Sequence, residues 1–262
     1  MKGLFCVVML SAAAFAQSAP SVPPQAVAPK VTPQSVADAQ RIQEERLHND
    51  WAYLEKYRAA DAQLAAAGLK TEAGEMRVVF MGDSITENWG RSPEFGEFFP
   101  GRPYVNRGIS GQTSPQMLVR FRQDVIALRP AVVVILAGTN DIAENTGKML
   151  PEDTENNLRS MVDLARANGI RVVLCSVLPA KSFGWRPELT PAGKIVALNA
   201  WIKGFAAERR LAYVDYYSAM VDGDGGLKAE LSGDGVHPNG RGYAVMGPLV
   251  ERGIAESLKG RP

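Results

Sequence analysis

The stretch "AVVVILAG", residues 131–138, is apolar throughout and ends in a glycine. Successive side chains of a strand point to opposite faces of the sheet, so this segment presents apolar groups on both faces. "RVVLCSVL", residues 171–178, is likewise apolar on both faces. Strands of this kind are typical of parallel sheets that helices cover on each side, and they favour an α/β fold.

Three shorter β-rich segments accompany these two strands, and segments with a helical spacing of apolar residues separate the five. The additional strands are predicted at "MRVVFMG" (76–82), "YVNRG" (104–108) and "AYVDYY" (212–217). The helical segments span roughly 114–128, 152–168, 191–209 and 239–258. This alternation predicts a three-layer α/β/α sandwich around a five-stranded, doubly wound parallel sheet. Ligands of such folds bind beyond the carboxyl ends of the strands.

The region before the first strand divides into three parts. Residues 1–16, "MKGLFCVVMLSAAAFA", have the positive start, apolar stretch and small-x-small cleavage site of an export signal. The apolar stretch is shorter than the roughly 20 residues that cross a bilayer, so we expect cleavage, no stable membrane insertion, and a periplasmic or extracellular protein. Residues 17–34 hold five prolines and are predicted to be a linker before a single domain at 35–262. Within that domain, a 3.6-residue apolar period predicts one added helix over about 36–67.

The charge balance argues against a nucleic-acid partner. Lys and Arg total 29 against 28 Asp and Glu, a formal charge of +1, and no basic run occurs. Proteins that neutralise phosphates need a local basic excess, so we expect no nucleic acid to be bound. Of the two cysteines, Cys6 lies in the export signal, which leaves Cys175 as a buried thiol without a disulfide partner.

Ser84 follows the first predicted strand in "GDSIT", residues 82–86, and two interpretations of it are open. A serine at a strand-to-helix junction is a good N-cap residue. The same position could instead raise its hydroxyl above the edge of the sheet as a nucleophile. The Gly-x-Ser-x-Gly elbow of α/β-hydrolases is absent, because Thr86 stands at the second glycine position.

His237 is the candidate general base. The chain has only two histidines, and His48 falls in the predicted N-terminal helix, where we expect it to be a surface residue. His237 lies in "SGDGVHPNG", three residues after Asp234, so one tight turn could supply both a base and the carboxylate that orients it. The alternative is a turn-forming loop with an incidental histidine.

Two further strand ends carry groups able to stabilise a negative oxygen. Gly108 ends the second strand in "NRGISGQT" (106–113), where a glycine leaves a backbone N–H open to a ligand. Asn140 follows the third strand in "LAGTND" (136–141), and its amide could donate a hydrogen bond. Both residues are also common in turns, so each is weak evidence by itself.

Taken together, "GDSIT", "NRGISGQT", "GTND" and "DGVHPN" resemble the four sequence blocks of the SGNH (GDSL-type) hydrolases, in the family's order and over about residues 76–256. The resemblance implies a flavodoxin-like fold and ester hydrolysis without a metal or cofactor. By position it implies Ser84 as nucleophile and Asp234 and His237 as the other members of a catalytic triad. It also implies an oxyanion hole formed by Ser84, Gly108 and Asn140.

The substrate is predicted from weaker features. The chain resembles bacterial carbohydrate acetylesterases within the family, which implies short acyl esters, with O-acetyl groups on small or polymeric carbohydrates as the expected substrates. Trp185, in "PAKSFGWRPEL" (179–189), could stack on a sugar ring or anchor its own loop. The alternatives are a lysophospholipase or thioesterase acting on longer chains, and a non-catalytic glycan-binding module. Nothing in the sequence points to a particular oligomeric state.

Overall fold

The computed structural model describes residues 33–67 and 76–259. The predicted export signal (1–16) and nearly all of the predicted linker lie outside the described residues. The chain forms two units, Met1–Ile42 and Gln43–Pro262, and only residues 33–42 of the first are described, as the start of a helix. Among the described helices, none has the length and apolar character needed to span a bilayer.

Five parallel strands form one sheet in the order β2-β1-β3-β4-β5. The strands are β1 (Val78–Gly82), β2 (Tyr104–Gly108), β3 (Val132–Leu136), β4 (Arg171–Cys175) and β5 (Ala212–Val214). The predicted five-stranded, doubly wound α/β/α fold is confirmed. Strand order reverses beside β1, since β2 and β3 lie on opposite sides of it, and the carboxyl ends of β1 and its neighbours border a crevice there.

Helices cover both faces of this sheet and divide the core into two clusters. The helices, of which α1 contributes no described residue to either core cluster, are α1 (Pro33–Asn49), α2 (Glu55–Ala66), α3 (Ser84–Asn88), α4 (Ser114–Asp124), α5 (Thr139–Ile142), α6 (Pro151–Ala167), α7 (Pro191–Arg209), α8 (Tyr216–Met220) and α9 (Gly240–Lys259). Val79 and Met81 of β1 pack with α4, α6 and α7, whereas Val78 and Phe80 pack with α3, α8 and α9. Alternate side chains of one strand therefore enter two different buried clusters, which explains why the strands are apolar on both faces.

The single helix predicted over 36–67 is instead two helices, α1 and α2. Tyr53 adopts a left-handed conformation with φ of 53°, which a continuous helix excludes. The Asp50 carboxylate accepts hydrogen bonds from the backbone N–H groups of Leu54 (2.8 Å) and Glu55 (2.9 Å), which satisfies two donors at the start of α2. The apolar period continues across this break, so the spacing alone predicted one helix.

Candidate active site

Ser84 is the first residue of α3, and the helix is capped by its neighbour. The Asp83 carboxylate accepts a hydrogen bond from the Ile85 N–H at 2.9 Å, so Asp83 and not Ser84 is the N-cap residue. The turn needs glycine before it, because a Cβ on Gly82 would lie 2.0 Å from Thr86 Oγ1. The N-cap interpretation of Ser84 is therefore wrong, and its hydroxyl is available for another partner.

That partner is His237. Ser84 Oγ lies 2.9 Å from His237 Nε2, and His237 Nδ1 lies 2.6 Å from Asp234 Oδ2. An ionised Asp234 accepts a hydrogen bond from Nδ1–H, which leaves Nε2 as the acceptor for the serine hydroxyl. The structure thus brings the three residues into one hydrogen-bonded series, although Ser84 and His237 are 153 positions apart.

A tight turn holds the carboxylate of this series in its ionised form. Asp234 Oδ1 accepts the backbone N–H groups of Val236 (2.9 Å) and His237 (2.8 Å). Burial alone would raise the pKa of Asp234, but hydrogen bonds from the His237 side chain and from these backbone groups lower it to about 2. Ser232, which the sequence reasoning missed, donates to the His237 carbonyl at 2.8 Å. A serine just before the Gly-Asp-Gly turn was the available signal.

A cavity of about 400 Å³ opens over Ser84 and His237. Most of the residues that line it have polar side chains, and Asn140 and Trp185 are among the lining residues while Gly108 is not. The lining residues are Ser84, Asn88, Arg91, Ser110, Gly111, Asn140, Asn145, Trp185 and His237. In the part of the chain that the structure describes, no group of three or more His, Cys, Asp or Glu residues is arranged to hold a metal ion.

The Asn140 amide is fixed in place by three hydrogen bonds. Its Nδ2 donates to Asp83 Oδ2 and to the Gln112 carbonyl, both at 3.1 Å, and its Oδ1 accepts Asn145 Nδ2 at 2.7 Å. Asn140 is only 3% exposed, yet it borders the cavity. Burial raises the pKa of its partner Asp83 to about 6.

The structure argues against the predicted donor role of Gly108. Its N–H already donates to Asn106 Oδ1 at 2.9 Å, and the residue is buried outside the cavity. A Cβ at Gly108 would lie 2.1 Å from Glu87 N, so this glycine allows β2 to pack against α3.

Gly111, three positions further along in the same motif, borders the cavity instead. Gly111 lines the cavity with a φ of 76°, a conformation that favours glycine. Its N–H makes no hydrogen bond to the described residues. The motif "RGISG" contains both glycines, and the sequence reasoning chose the one that belongs to the strand.

Side chains from α3 and α2 hold the turn that carries Gly111. Glu87 Oε2 accepts the Ser110 N–H (2.6 Å) and hydroxyl (2.5 Å), while Glu87 Oε1 accepts a hydrogen bond from Lys56 Nζ. Burial would raise the pKa of Glu87, but these contacts lower it. Tyr57 of α2 also donates to the Gly108 carbonyl at 2.5 Å. Helix α2 therefore stabilises the edge of the site.

Trp185 anchors its own loop, and its stacking on a sugar ring stays a prediction. Its ring stacks on Phe183 with centroids 5.1 Å apart, and its Nε1 donates to Asn145 Oδ1 at 2.9 Å, so it anchors the loop. It also lines the cavity, is 44% exposed, and lies 6.3 Å from the His237 ring.

The other predicted side chains lie away from the cavity. Cys175 is buried in β4, and burial raises the pKa of its thiol to about 12, which makes it inert near neutral pH. His48 is exposed on α1, as predicted.

Comparisons with known proteins show the family of this chain. The model of the GDSL-like lipase/acylhydrolase family matches residues 80–245, which contain Ser84, Asn140 and His237 but neither α1 nor α2. Esterase TesA of Pseudomonas aeruginosa is 30% identical over 185 residues, which cover 67% of this chain and 86% of that protein.

Two further relatives extend the comparison. An acetylxylan esterase of Xylanibacter ruminicola is 25% identical over 214 residues, which cover 68% of this chain and 43% of that protein. The crystal structure of a GDSL-like lipase from Bacteroides thetaiotaomicron superposes with a TM-score of 0.72 at 47% identity, covering 79% of this chain and 99% of that one.

Proposed function

Since this chain belongs to the GDSL-like lipase/acylhydrolase family and is a carboxylic ester hydrolase, we propose that Ser84 is its nucleophile and that it removes short acyl groups from carbohydrates. The observation that carries the assignment of Ser84 is the series from Ser84 Oγ to His237 Nε2 at 2.9 Å and from His237 Nδ1 to Asp234 Oδ2 at 2.6 Å. A nucleophile, a base and an orienting carboxylate are thereby joined in the order that serine catalysis requires.

The proposed reaction has two halves that use the same groups. His237 Nε2 takes the Ser84 hydroxyl proton as Oγ forms a bond to the ester carbonyl carbon. The tetrahedral intermediate collapses as the C–O bond to the alcohol breaks, and His237 donates its proton to the departing alcohol. Water then attacks the acyl-enzyme in the same way, which releases the acid and restores Ser84. Asp234 stabilises the imidazolium in both halves.

Three donors around the cavity are placed to receive the oxyanion. The Ser84 N–H, first in α3, has no intrahelical acceptor by its position, and the Gly111 N–H is unpaired among the described residues. The Asn140 Nδ2 is the third donor. Its bond to the Gln112 carbonyl is 3.1 Å long, and an anionic oxygen competes well against a neutral carbonyl for that hydrogen.

The lining of the cavity supports a small acyl group on a polar alcohol. Trp185 is the only large apolar side chain among the described lining residues, and its half-exposed ring presents a surface on which a sugar ring can stack. A long acyl chain would need an extended apolar wall. The similarity to an acetylxylan esterase points the same way.

A second cavity favours one alternative, the hydrolysis of longer acyl esters. This cavity of about 350 Å³ lies by α6 and α7, and its apolar lining comes from Ile142, Met149, Leu150, Pro151, Ala197 and Leu198. Glu144, which also lines it, is next in the chain to Asn145 of the Ser84 cavity. A chain that crossed this loop could use the second cavity.

Two measurements test the proposal. Acetate release from acetylated xylan should exceed hydrolysis of p-nitrophenyl esters with eight or more acyl carbons, and the reverse preference would support the alternative. A fluorophosphonate should label the wild type, and Ser84→Ala should abolish both label and turnover. Ser160→Ala, on the outer part of α6, is the matched control and should retain both. An active Ser84→Ala variant would refute the nucleophile assignment.

We also propose that the protein is exported and cleaved after Ala16. The amino-terminal sequence of the mature protein should then begin at Gln17. Recovery of the uncleaved chain from the membrane fraction would contradict this.

A further inference from the structure

Arg91 is a positively charged residue in the lining of the Ser84 cavity, and it has no role in the proposed mechanism. Its side chain is exposed and lines the cavity, and no carboxylate of the described residues forms an ion pair with it. Its contact within the described chain is with the Phe95 ring, whose centroid lies 5.8 Å from the guanidinium carbon. The other cavity-lining side chains are uncharged apart from the titratable His237.

Asn88 provides a second unused polar group in the same lining. It is 8% exposed and lines the cavity, yet its Oδ1 is buried without a hydrogen-bond partner in the described structure. The Arg91 N–H donates to the Asn88 carbonyl at 2.9 Å, so the turn after α3 ties the two residues together. Buried amide oxygens normally have a donor, and this unpaired one beside a cavity points to a ligand group that donates a hydrogen bond, such as a hydroxyl.

We propose that Arg91 binds an anionic substituent on the alcohol part of the ester, and that Asn88 accepts a hydrogen bond from a hydroxyl group beside that substituent. A guanidinium presents parallel N–H groups that match the oxygens of a carboxylate or a phosphate, whereas Asn88 Oδ1 can only accept a hydrogen bond, as from a sugar hydroxyl. For the carbohydrate esters proposed above, on which this assignment of the alcohol rests, the substituent is the carboxylate of an acidic sugar.

Three carboxylates that contact cavity-lining residues are already paired or buried. Asp234 is paired with His237 at 2.6 Å, and Asp83 is buried under Asn140. Glu87 is paired with Lys56 and accepts from Ser110. The cavity therefore presents Arg91 as its uncompensated charge.

Competitive inhibition of p-nitrophenyl acetate hydrolysis tests the subsite without requiring that a sugar ester be a substrate. Methyl glucuronoside should inhibit at about one tenth of the concentration needed for methyl glucoside at low ionic strength, and the preference should shrink in about 0.5 M NaCl. Arg91→Gln should bring the ratio of inhibition constants close to one, and Arg91→Glu should invert it. Arg122→Gln removes a charge from an exposed position of α4 outside the cavity and should keep the tenfold ratio.

Each outcome decides a separate point. Equal inhibition by the two glycosides in the wild type, or a ratio that survives in Arg91→Gln, would overturn the subsite while leaving ester hydrolysis intact. Stronger inhibition by glucose 6-phosphate than by methyl glucuronoside, lost in Arg91→Gln, would overturn the acidic sugar and assign the subsite to phosphate. Failure of the carbohydrate proposal itself would appear elsewhere, as the absence of acetate release from acetylated xylan.

Discussion

Replacing the buried carboxylate of Asp83 by an amide should affect the stability and the activity of the protein in different ways. Asp83 is 1% exposed, and its two oxygens accept the Ile85 N–H at 2.9 Å and the Asn140 Nδ2 at 3.1 Å. Asp83→Asn removes the charge with little change of shape. An asparagine has one carbonyl oxygen, so it can serve only one of these two donors and directs an NH₂ group at the other.

The stability effect follows from the pKa. Burial raises the pKa of Asp83 from 3.8 to about 6, so the folded state holds this proton more tightly than the unfolded chain does. The contribution of Asp83 to the free energy of unfolding is therefore greatest below 3.8 and is lost as the pH rises towards 6. A shift of that size corresponds to a contribution of about 3 kcal/mol to the free energy of unfolding. About 2 kcal/mol of this contribution is lost as the pH rises from about 4.5 to about 7.5. The amide of Asp83→Asn does not titrate, so the variant gains about 2 kcal/mol relative to the wild type over this interval.

Urea unfolding of both proteins at pH 4.5, 6 and 7.5, followed by tryptophan fluorescence, measures this difference. Turnover of p-nitrophenyl acetate by Asp83→Asn should fall by about 10- to 100-fold, because Asn140 loses a fixed acceptor. Asp224→Asn, at an exposed position, is the control and should match the wild type in both assays. Unfolding free energies that stay parallel for wild type and Asp83→Asn from pH 4.5 to 7.5 would refute the reasoning.

Three further predictions test the parts of the site separately. Gly108→Ala should lower the melting temperature far more than Gly111→Ala, because a Cβ at position 108 would lie 2.1 Å from the backbone of α3. A Cβ at position 111 has room and costs only the strain of a left-handed φ, about 1–2 kcal/mol. Similar melting temperatures of the two variants would contradict this. Asp234→Asn should lose about 10⁴ in kcat with little change in melting temperature, since the histidine loses the partner that selects its tautomer; near-parental kcat would exclude that role. Glu87→Gln and Lys56→Met should each lower kcat about tenfold with KM nearly constant, because the turn that carries Gly111, the proposed oxyanion donor, loosens. An effect on the melting temperature alone would show a purely structural role.

Several features of the molecule were predictable from residue patterns. The two-faced apolar strands, such as residues 131–138, predicted the parallel sheet and its covering helices correctly. Because parallel strands end at the same edge, motifs that follow different strands were expected to meet, and Ser84 and His237 do so at 2.9 Å.

Other features needed the contacts between distant segments. The same spacing that predicted one helix over 36–67 hides the break at Asp50–Leu54, since hydrophobic periodicity does not register a capping carboxylate. The two glycines of "RGISG" are chemically identical and only three positions apart. Only the packing of Gly108 against α3 and the open N–H of Gly111 distinguish them.

By itself, the sequence determined the class of fold and the segments that carry the chemistry, because burial pattern and chain order are local properties written along each strand and helix. The tertiary structure alone decided which glycine N–H borders the cavity, that Asp83 and not Ser84 caps α3, and that Arg91 lines the Ser84 cavity without an ion pair to any described carboxylate. Those properties depend on the directions of side chains and N–H groups, which are set by neighbours that lie far away in the chain.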